Sequence, residues 1–145
     1  MATVPERPCL FCAIVAGDAP AAVVLDDPDV LGFLDVRPVF PGHVLVVPRA
    51  HVDTLPDLSA PLVPVLFTAV QRVAVAVVEA MGAQGTFVAV NNVVSQSVPH
   101  LHVHVVPRSK GDGLKGFFWP RHRYDSDGHM ADVAARIADA ILRTG

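Results

Sequence analysis

Three histidines at every second position are the residues of this chain best suited to chemistry. They lie in the segment His100–Pro107, which reads His-Leu-His-Val-His-Val-Val-Pro. In an extended strand alternate side chains point to opposite faces, so His100, His102 and His104 share one face while apolar residues occupy the other. Imidazoles two residues apart are spaced by roughly 6.5–7 Å, which is wide enough to accept a phosphoryl group.

Such a cluster suits either metal binding or metal-free phosphoryl chemistry. A hydrolytic metal centre adds carboxylates as bridging ligands or bases, and no Asp or Glu lies between Asn91 and Arg108. A neutral imidazole is a competent nucleophile toward phosphorus at pH 7, and neighbouring imidazoles can donate to the phosphoryl oxygens. The pattern therefore favours nucleophilic chemistry at the central His102, with an ordinary polar strand face as the alternative.

The two cysteines form a second candidate site. Cys9 and Cys12 are too few for a disulfide framework, but their spacing suits metal or redox chemistry. A tetrahedral zinc site needs two more nitrogen or sulfur ligands, for which His51 and His100 are candidates. Two alternatives stay open. One is a redox dithiol, which requires a helix N-terminus beside the cysteines, and the other is a pair of inert thiols.

The elements that position these residues follow from apolar patterning. Short apolar runs bounded by turn residues predict strands at residues 22–26, 30–34, 43–47, 86–91 and 101–106. A long helix is predicted from about residue 60 to Met81, with Ser59 as its N-cap and Gly82 after its end. An apolar stripe after Asp127 predicts a C-terminal helix. Short connections favour antiparallel pairing, so the predicted class is α+β with about five strands.

Composition narrows the possible functions. The 145 residues fit one domain, and 52% hydrophobic residues can form a substantial core. A formal net charge of −3 gives no basic field for nucleic acid or an anionic membrane. Pro, Gly, Asp or Arg are expected to interrupt the apolar stretches before a membrane-spanning length, and no signal-peptide pattern is present. We expect a cytoplasmic protein that binds neither nucleic acid nor membrane.

The segment His100–Val106 resembles the His-φ-His-φ-His-φ-φ signature (φ, apolar) of the histidine triad (HIT) family of nucleotide hydrolases and transferases. The resemblance runs over about residues 9–108, including Phe33-Leu34-Asp35, the Pro-Gly-His-Val-Leu-Val-Val-Pro run from Pro41, and Gln96-Ser97-Val98. The Cys-x-x-Cys pair is similar to that of the bacterial, Hint-like branch. The resemblance implies a HIT-like fold and one HIT domain over residues 1–145, with a variable extension over 109–145.

The resemblance also implies the roles of the reacting residues. His102 matches the nucleophile, which attacks the α-phosphorus of a nucleotide and forms a nucleotidyl-histidine intermediate that water releases. His104 matches the oxyanion and leaving-group partner, and Ser97 the hydroxyl aimed at the leaving group. Attack through one ring nitrogen of His102 requires the other to carry its proton, which predicts an anchoring backbone carbonyl.

A nucleotide cleft is implied as well. Asp35 matches the carboxylate that binds the ribose hydroxyls. The other matching positions line the base and phosphate sites, and they are Phe11, Ile14, Phe33, Val36, His43, Asn91 and Gln96. Structural alternatives exist, since Asp35 also suits a turn, His43 a structural role and the apolar residues a core.

In family members with Cys-x-x-Cys, the resemblance implies a zinc ion held by Cys9, Cys12, His51 and His100. His100 is then structural, and the chemistry needs no metal cofactor. The resemblance further implies a homodimer in which two sheets join, with a purine nucleotide in each cleft.

The predicted function is hydrolysis or nucleotidyl transfer at the α-phosphate of a nucleoside 5′-phosphate derivative, such as a phosphoramidate. The alternatives are a dinucleoside polyphosphate hydrolase and a zinc-stabilised nucleotide-binding module with little turnover. One departure is the loop Asn91–Ser97, which lacks the family's glycines, so fewer backbone N–H groups are expected to reach the phosphate. After Arg108 the likeness fades, and Trp119 and Arg121 are candidate contacts to a leaving group or partner.

Overall fold

The computed structural model describes residues 8–114 and 121–144. In chain order its elements are α1 (Leu10–Ala16), β1 (Val23–Asp26), β2 (Val30–Leu34), β3 (Val44–Pro48), a 3-10 turn (Leu55–Asp57), α2 (Leu62–Met81), β4 (Gly85–Val90), β5 (Val103–Arg108) and α3 (Asp127–Thr144). The predicted α+β class, with five strands, a long central helix and a C-terminal helix, is confirmed. Trp119 lies outside the described residues.

The strands form one antiparallel sheet in the order β1-β2-β3-β5-β4. Leu45 of β3 pairs with Phe33 of β2 on one side and with His104 of β5 on the other. Because strand side chains alternate, these three residues form a row across one face, and their chain neighbours point to the opposite face. The register therefore sets His104 beside an apolar row.

Helix α2 covers the opposite face of the sheet. Its buried residues recur at helical spacing and pack with buried strand residues, and they are Leu66, Ala69, Val70, Val73 and Val77. The helix ends at Gly82, which adopts the predicted left-handed conformation with φ of 61°. By length and composition α2 could cross a membrane, so Arg72 does not interrupt it as expected. Its buried face gives it the packing of a core helix.

The predicted N-cap of α2 is wrong. The helix begins at Leu62, and Ser59 contributes its backbone carbonyl, which accepts the Leu62 N–H at 3.0 Å, instead of a side-chain cap. Pro61 occupies the cap position. Pro64 is the third helical residue, where the backbone N–H has no intrahelical partner, so it costs the helix no hydrogen bond.

The sequence did not predict helix α1, which starts at the cysteine pair. Cys9 is its N-cap residue, and the Cys9 sulfur accepts the Cys12 N–H at 3.4 Å. A left-handed Gly17 ends the helix after seven residues. This short helix places Phe11 in a second core with Phe33 and neighbouring apolar residues of β2 and β3.

The chain divides into two compact units, residues 1–112 and 113–145. The second contains α3, which confirms the predicted C-terminal helix. Apolar residues on this helix, including Ile137 and Ile141, are exposed. The sheet, α1, α2 and the residues with predicted chemistry belong to the first unit.

Candidate active site and metal cluster

The three triad histidines surround the start of β5. His104 lies within the strand, whereas His100 and His102 precede it, because the Leu101 N–H donates to the Val52 carbonyl at 2.8 Å instead of to a sheet partner. Strand β5 therefore begins two residues later than predicted. The alternation still holds, since Leu101 and Val103 are fully buried in the core on the α2 side. The ring centroids of His102 and His104 are 5.0 Å apart, closer than the predicted spacing.

His102 has the hydrogen-bond arrangement expected of a nucleophile. Its Nδ1 lies 2.7 Å from the His100 carbonyl oxygen, and since a carbonyl only accepts, Nδ1 carries the proton. The predicted anchoring carbonyl is confirmed, and the Nε2 lone pair stays free. The His102 side chain is 3% exposed. No buried side-chain nitrogen or oxygen in the described residues lacks a partner, so the unpartnered Nε2 reaches the surface.

Aromatic rings form a wall beside His102. The centroid of Phe11 lies 5.1 Å from that of His102 and 5.3 Å from that of Phe33, in edge-to-face contacts. Ile14 packs against the same cluster. Val36 behaves differently, because it is 92% exposed in the turn after β2. The structure thus brings Phe11, Ile14 and Phe33 together and leaves Val36 apart.

A chain of hydrogen bonds sets the tautomer of His104. The Val39 N–H donates to His43 Nδ1 at 3.1 Å, so a neutral His43 carries its proton on Nε2. That proton is donated to His104 Nδ1 at 2.9 Å, which leaves His104 with its own proton on Nε2. Burial, together with the nearby His102, lowers the pKa of His104 to about 4. Burial also lowers the pKa of His43, so both rings are neutral donors at pH 7.

Asp35 follows β2 and faces this pair. Its Oδ1 accepts the Arg37 N–H at 2.9 Å, which is the turn role considered for it. Its Oδ2 lies 3.8 Å from His43 Nδ1. Asp35, His43 and His104 have the residue types of a metal site, but hydrogen bonds already occupy both facing nitrogens of the two rings. The arrangement is a polar network in which the Asp35 side chain is 22% exposed.

The loop Asn91–Ser97 adopts glycine-like conformations without glycine. Val93 and Ser95 have φ of 69° and 60°, in the left-handed region that β-branched residues rarely enter. The Gln96 side chain spans the loop, accepting the Val93 N–H at 3.1 Å and donating to the Asp53 carbonyl at 2.5 Å. Asn91 and Ser97 are exposed. Gln96 thus links the loop to the backbone of Asp53, and Ser97 at the end of the loop is exposed to solvent.

The four predicted metal ligands meet at the start of α1. Their nearest atoms, Cys9 Sγ, Cys12 Sγ, His51 Nδ1 and His100 Nδ1, all lie within 4.8 Å of one another. The Cys9 and Cys12 sulfurs are 3.5 and 3.6 Å from His100 Nδ1, and Cys12 Sγ is 3.2 Å from His51 Nδ1. Zinc–ligand bonds of about 2.0–2.3 Å in a tetrahedron give edges of roughly 3.3–3.8 Å. The cluster has the size of a zinc site.

Tautomers of the two histidines also fit a cation. His100 Nε2 donates to the Pro48 carbonyl at 2.8 Å, and His51 Nε2 donates to Asp53 Oδ1 at 2.8 Å. In neutral rings both Nδ1 atoms are then lone-pair acceptors, yet they lie 3.2 Å apart. Two facing lone pairs repel each other, and a cation between them converts that repulsion into coordination.

Without a cation, burial raises the pKa of the Cys12 thiol, and Cys9 raises it further. The thiol is then protonated at pH 7 and is a poor redox nucleophile. The helix start that a redox dithiol requires is present beside Cys9. The two imidazole nitrogens nevertheless complete a ligand set, so the donor chemistry favours a metal over a dithiol.

Sequence reasoning missed Asp53 and the backbone carbonyls of Pro48 and His100. Carbonyl partners leave no residue-type signal. Asp53 had a detectable sequence signal, because it lies two residues after His51. Side chains at that spacing in extended backbone point to the same side.

Comparisons with known proteins agree with this geometry. The sequence profile of the HIT domain matches residues 16–111. Protein hit of Bacillus subtilis (strain 168) is 40% identical over 138 residues, which cover 93% of this chain and 92% of the relative. The crystal structure of a HIT family member from Bacillus subtilis matches with a TM-score of 0.84 at 36% identity, over 92% of this chain and 96% of that one.

The crystal structure of a Zn-bound histidine triad family protein from Mycobacterium smegmatis matches with a TM-score of 0.70 at 38% identity, over 93% of this chain and 96% of that one. Two relatives from Schizosaccharomyces pombe have named activities. Adenosine 5'-monophosphoramidase hnt1 is 32% identical over 79% of this chain and 84% of its own length. The asymmetrical bis(5'-nucleosyl)-tetraphosphatase is 38% identical over 55% of this chain and 45% of its own length.

The triad signature, the sheet that carries it and the profile match together show that this chain belongs to the HIT family.

Proposed function

We propose that this protein hydrolyses a nucleoside 5′-phosphate derivative at the α-phosphate, with a phosphoramidate as the preferred class, through a nucleotidyl-histidine intermediate on His102. The observation that carries the proposal is the 2.7 Å hydrogen bond from His102 Nδ1 to the His100 carbonyl. It fixes one tautomer and leaves the Nε2 lone pair at the surface. A fixed, unprotonated imidazole nitrogen is the group that in-line attack on phosphorus requires.

In the first step, His102 Nε2 attacks the α-phosphorus, the N–P bond forms and the bond to the leaving amine breaks. The amine nitrogen leaves with the electron pair and needs one proton. Ser97 and the Nε2–H of His104 are the donors assigned to the leaving group and the phosphoryl oxygens. Because His104 is uncharged, it stabilises the developing charge by hydrogen bonding.

In the second step, water attacks the same phosphorus and the bond to His102 Nε2 breaks. The products are a nucleoside monophosphate and the amine, and one water molecule is consumed. His102 returns to its neutral form because the electron pair of the broken N–P bond returns to Nε2, while Nδ1 keeps its proton on the His100 carbonyl. The water proton passes to the donor group that was depleted in the first step, which restores the starting state.

Nucleotide binding is assigned to the residues around this nitrogen. The edge-to-face rings of Phe11 and Phe33, together with Ile14, offer an apolar surface for the base. Oδ2 of Asp35 is the acceptor for ribose hydroxyls. The remaining residues assigned to nucleotide binding are His43, Asn91, Gln96 and Val36. Of these, Val36 lies in an exposed turn and would contact the ligand from there.

The second candidate substrate is a dinucleoside polyphosphate, which the same attack would cleave with a nucleotide as the leaving group. The named activity of the tetraphosphatase relative supports it. The phosphoramidase relative matches a larger share of this chain, which favours the phosphoramidate.

We assign zinc to Cys9, Cys12, His51 and His100 as a structural ion. When bound, zinc would offset the charge of the two thiolates and cross-link α1 to the segment before β5. His100 supports the nucleophile with its carbonyl, and its ring belongs to the metal cluster. The expected homodimer would join two sheets, and β4 is the edge strand next to β5 that is available for this pairing.

The test is incubation with a nucleoside 5′-phosphoramidate, followed by measurement of nucleoside monophosphate and by acid-free trapping of a nucleotidyl-protein adduct. Wild type should release monophosphate and form the adduct, whereas His102→Ala should do neither. Gln71→Ala, at an exposed residue of helix α2 on the opposite face of the sheet, is the control. Tight AMP binding with no release from wild type would instead identify a nucleotide-binding module.

A further inference from the structure

We propose that Asp53 is a positioning residue that couples the metal cluster to the loop Asn91–Ser97. Its side chain acts on the cluster. Asp53 Oδ1 lies 2.8 Å from His51 Nε2, and because a carboxylate only accepts, it keeps the proton on Nε2 and the lone pair on Nδ1. The His51 and Asp53 side chains are 41% and 61% exposed, so the pair alone stabilises the fold little. Its effect is on the orientation of a metal ligand.

The backbone of Asp53 acts on the loop. Its carbonyl accepts Gln96 Nε2 at 2.5 Å, and Gln96 Oε1 in turn accepts the Val93 N–H. Two residues further on, the Leu55 N–H donates to Asn92 Oδ1 at 2.8 Å. The side chains of Asn92 and Gln96, near the two ends of the loop, therefore hydrogen-bond to the backbone of residues 53–55.

The same segment also hydrogen-bonds to the backbone between His100 and His102. The Val52 carbonyl accepts the Leu101 N–H, which lies between His100 and His102. His51, Asp53 and Ser97 line one cavity of about 940 Å³ together with the two cysteines. Four residues of the segment 51–55 thus contact the metal cluster, the loop or the residue beside the proposed nucleophile.

A metal ion that fixes His51 should therefore also order the loop. This inference rests on the zinc assignment proposed above, and on the proposed hydrolysis only where it treats Ser97 as the leaving-group hydroxyl. Metal affinity and loop order are independent of substrate, so both can be measured when no hydrolysis is detected.

The first experiment measures zinc affinity by competition with a chromophoric chelator. Asp53→Ala should weaken zinc binding about 10- to 100-fold, the usual effect of losing such a partner. Asp53→Asn should weaken it less, because the amide oxygen still accepts from His51. Asp139→Ala, at an exposed carboxylate of α3, is the control. Wild-type zinc affinity in a folded Asp53→Ala variant would overturn the metal half of the proposal.

The second experiment measures amide hydrogen exchange of Val93 and Val94, whose N–H groups bond within the loop. Exchange in the wild type should accelerate several-fold when zinc is removed. Asp53→Ala should recover protection at saturating zinc, because the carbonyl that holds Gln96 is retained. Equal exchange rates with and without zinc would overturn the coupling.

Discussion

Two histidine-rich centres lie side by side in this molecule, and neighbouring residues of one signature serve them in opposite ways. His100 donates from Nε2 to the Pro48 carbonyl and turns Nδ1 toward two cysteines. His102 donates from Nδ1 to the His100 carbonyl and turns Nε2 outward. Each ring is fixed by one backbone carbonyl, and the choice of nitrogen decides whether the free lone pair faces the cysteine pair or the surface.

Identical side chains therefore gain different chemistry from the backbone around them. The candidate metal cluster adds thiols and a carboxylate partner, whereas the proposed phosphoryl site adds a second imidazole, His43, and apolar rings. The two centres share one peptide unit, because the carbonyl that orients the proposed nucleophile His102 belongs to His100, a proposed metal ligand. Variants that separate the centres test this division.

The largest difference in effect between the two centres should come from His102→Ala. Removing the nucleophile should lower the rate of phosphoramidate hydrolysis by at least about 10³-fold. Zinc content should stay at the wild-type value, because the His102 side chain donates to the His100 carbonyl and is not one of the four proposed ligands. Steady-state kinetics and metal analysis on the same preparation check both. Loss of zinc in this variant would show that the two centres are one.

The converse variant is Cys12→Ala, which removes one ligand from the metal cluster. Zinc content should fall to near zero. Stability should fall by roughly 3 kcal/mol relative to wild type at a zinc concentration about 100-fold above its Kd. Urea unfolding with and without a chelator measures this. A chelator should destabilise wild type and leave the variant unchanged, and an insensitive wild type would contradict the assignment.

Asp35→Ala tests the binding side of the phosphoryl site. Losing the acceptor for ribose hydroxyls should raise KM about 10-fold or more while kcat changes less, because the carboxylate contacts no reacting atom. Asp29→Ala, at an exposed residue of the β1–β2 turn, is the matched control. A 2′,3′-dideoxy substrate should have the same KM with wild type and variant, and a KM difference with that substrate would exclude the ribose role.

Stability should also depend on pH through His104. His104 has a pKa of about 4 in the folded chain, against an ordinary value near 6.5 when unfolded. Below pH 6.5 the unfolded chain takes up a proton that the folded chain rejects, so stability falls from pH 6.5 toward pH 4 and is flat above. The loss from this half-buried group is of order 1–3 kcal/mol. Urea unfolding at several pH values should show a shallower fall for His104→Gln.

The smallest effect concerns the loop that connects the centres. Val93→Asn should stabilise the fold by about 0.5–1 kcal/mol, because Asn tolerates the left-handed conformation that Val93 adopts at φ 69°. Val94→Asn is the matched control, since the two valines are 77% and 78% exposed and Val94 has no positive φ. Equal unfolding midpoints for both variants would show that the loop is unstrained.

Much of this arrangement was predictable because it depends on residue type and period. The alternation around His102 predicted a shared histidine face, and the apolar runs predicted every strand to within two residues. The family resemblance implied that His51 and His100 join the cysteine pair, where the structure also places them.

What was missed depends on contacts between distant backbone groups or on very short elements. Helix α1 has seven residues, too few to show a helical period. The shift of β5 follows from a bond between Leu101 and Val52, which no local pattern reveals. Val93 adopts a left-handed conformation that glycine would normally mark in the sequence. The sequence therefore predicted a loop with fewer backbone N–H groups near the phosphate, whereas the structure shows a loop with a strained backbone.

The metal cluster also has a consequence for folding. Cys9 and His100 are 91 residues apart in the chain. An ion bound to both would close a ring that contains four of the five strands and the whole of α2. Loop-closure entropy grows with ring size, so this clip would restrict the unfolded chain more than a short-range site would. Loading with metal should therefore slow the opening of the entire sheet as well as that of helix α1.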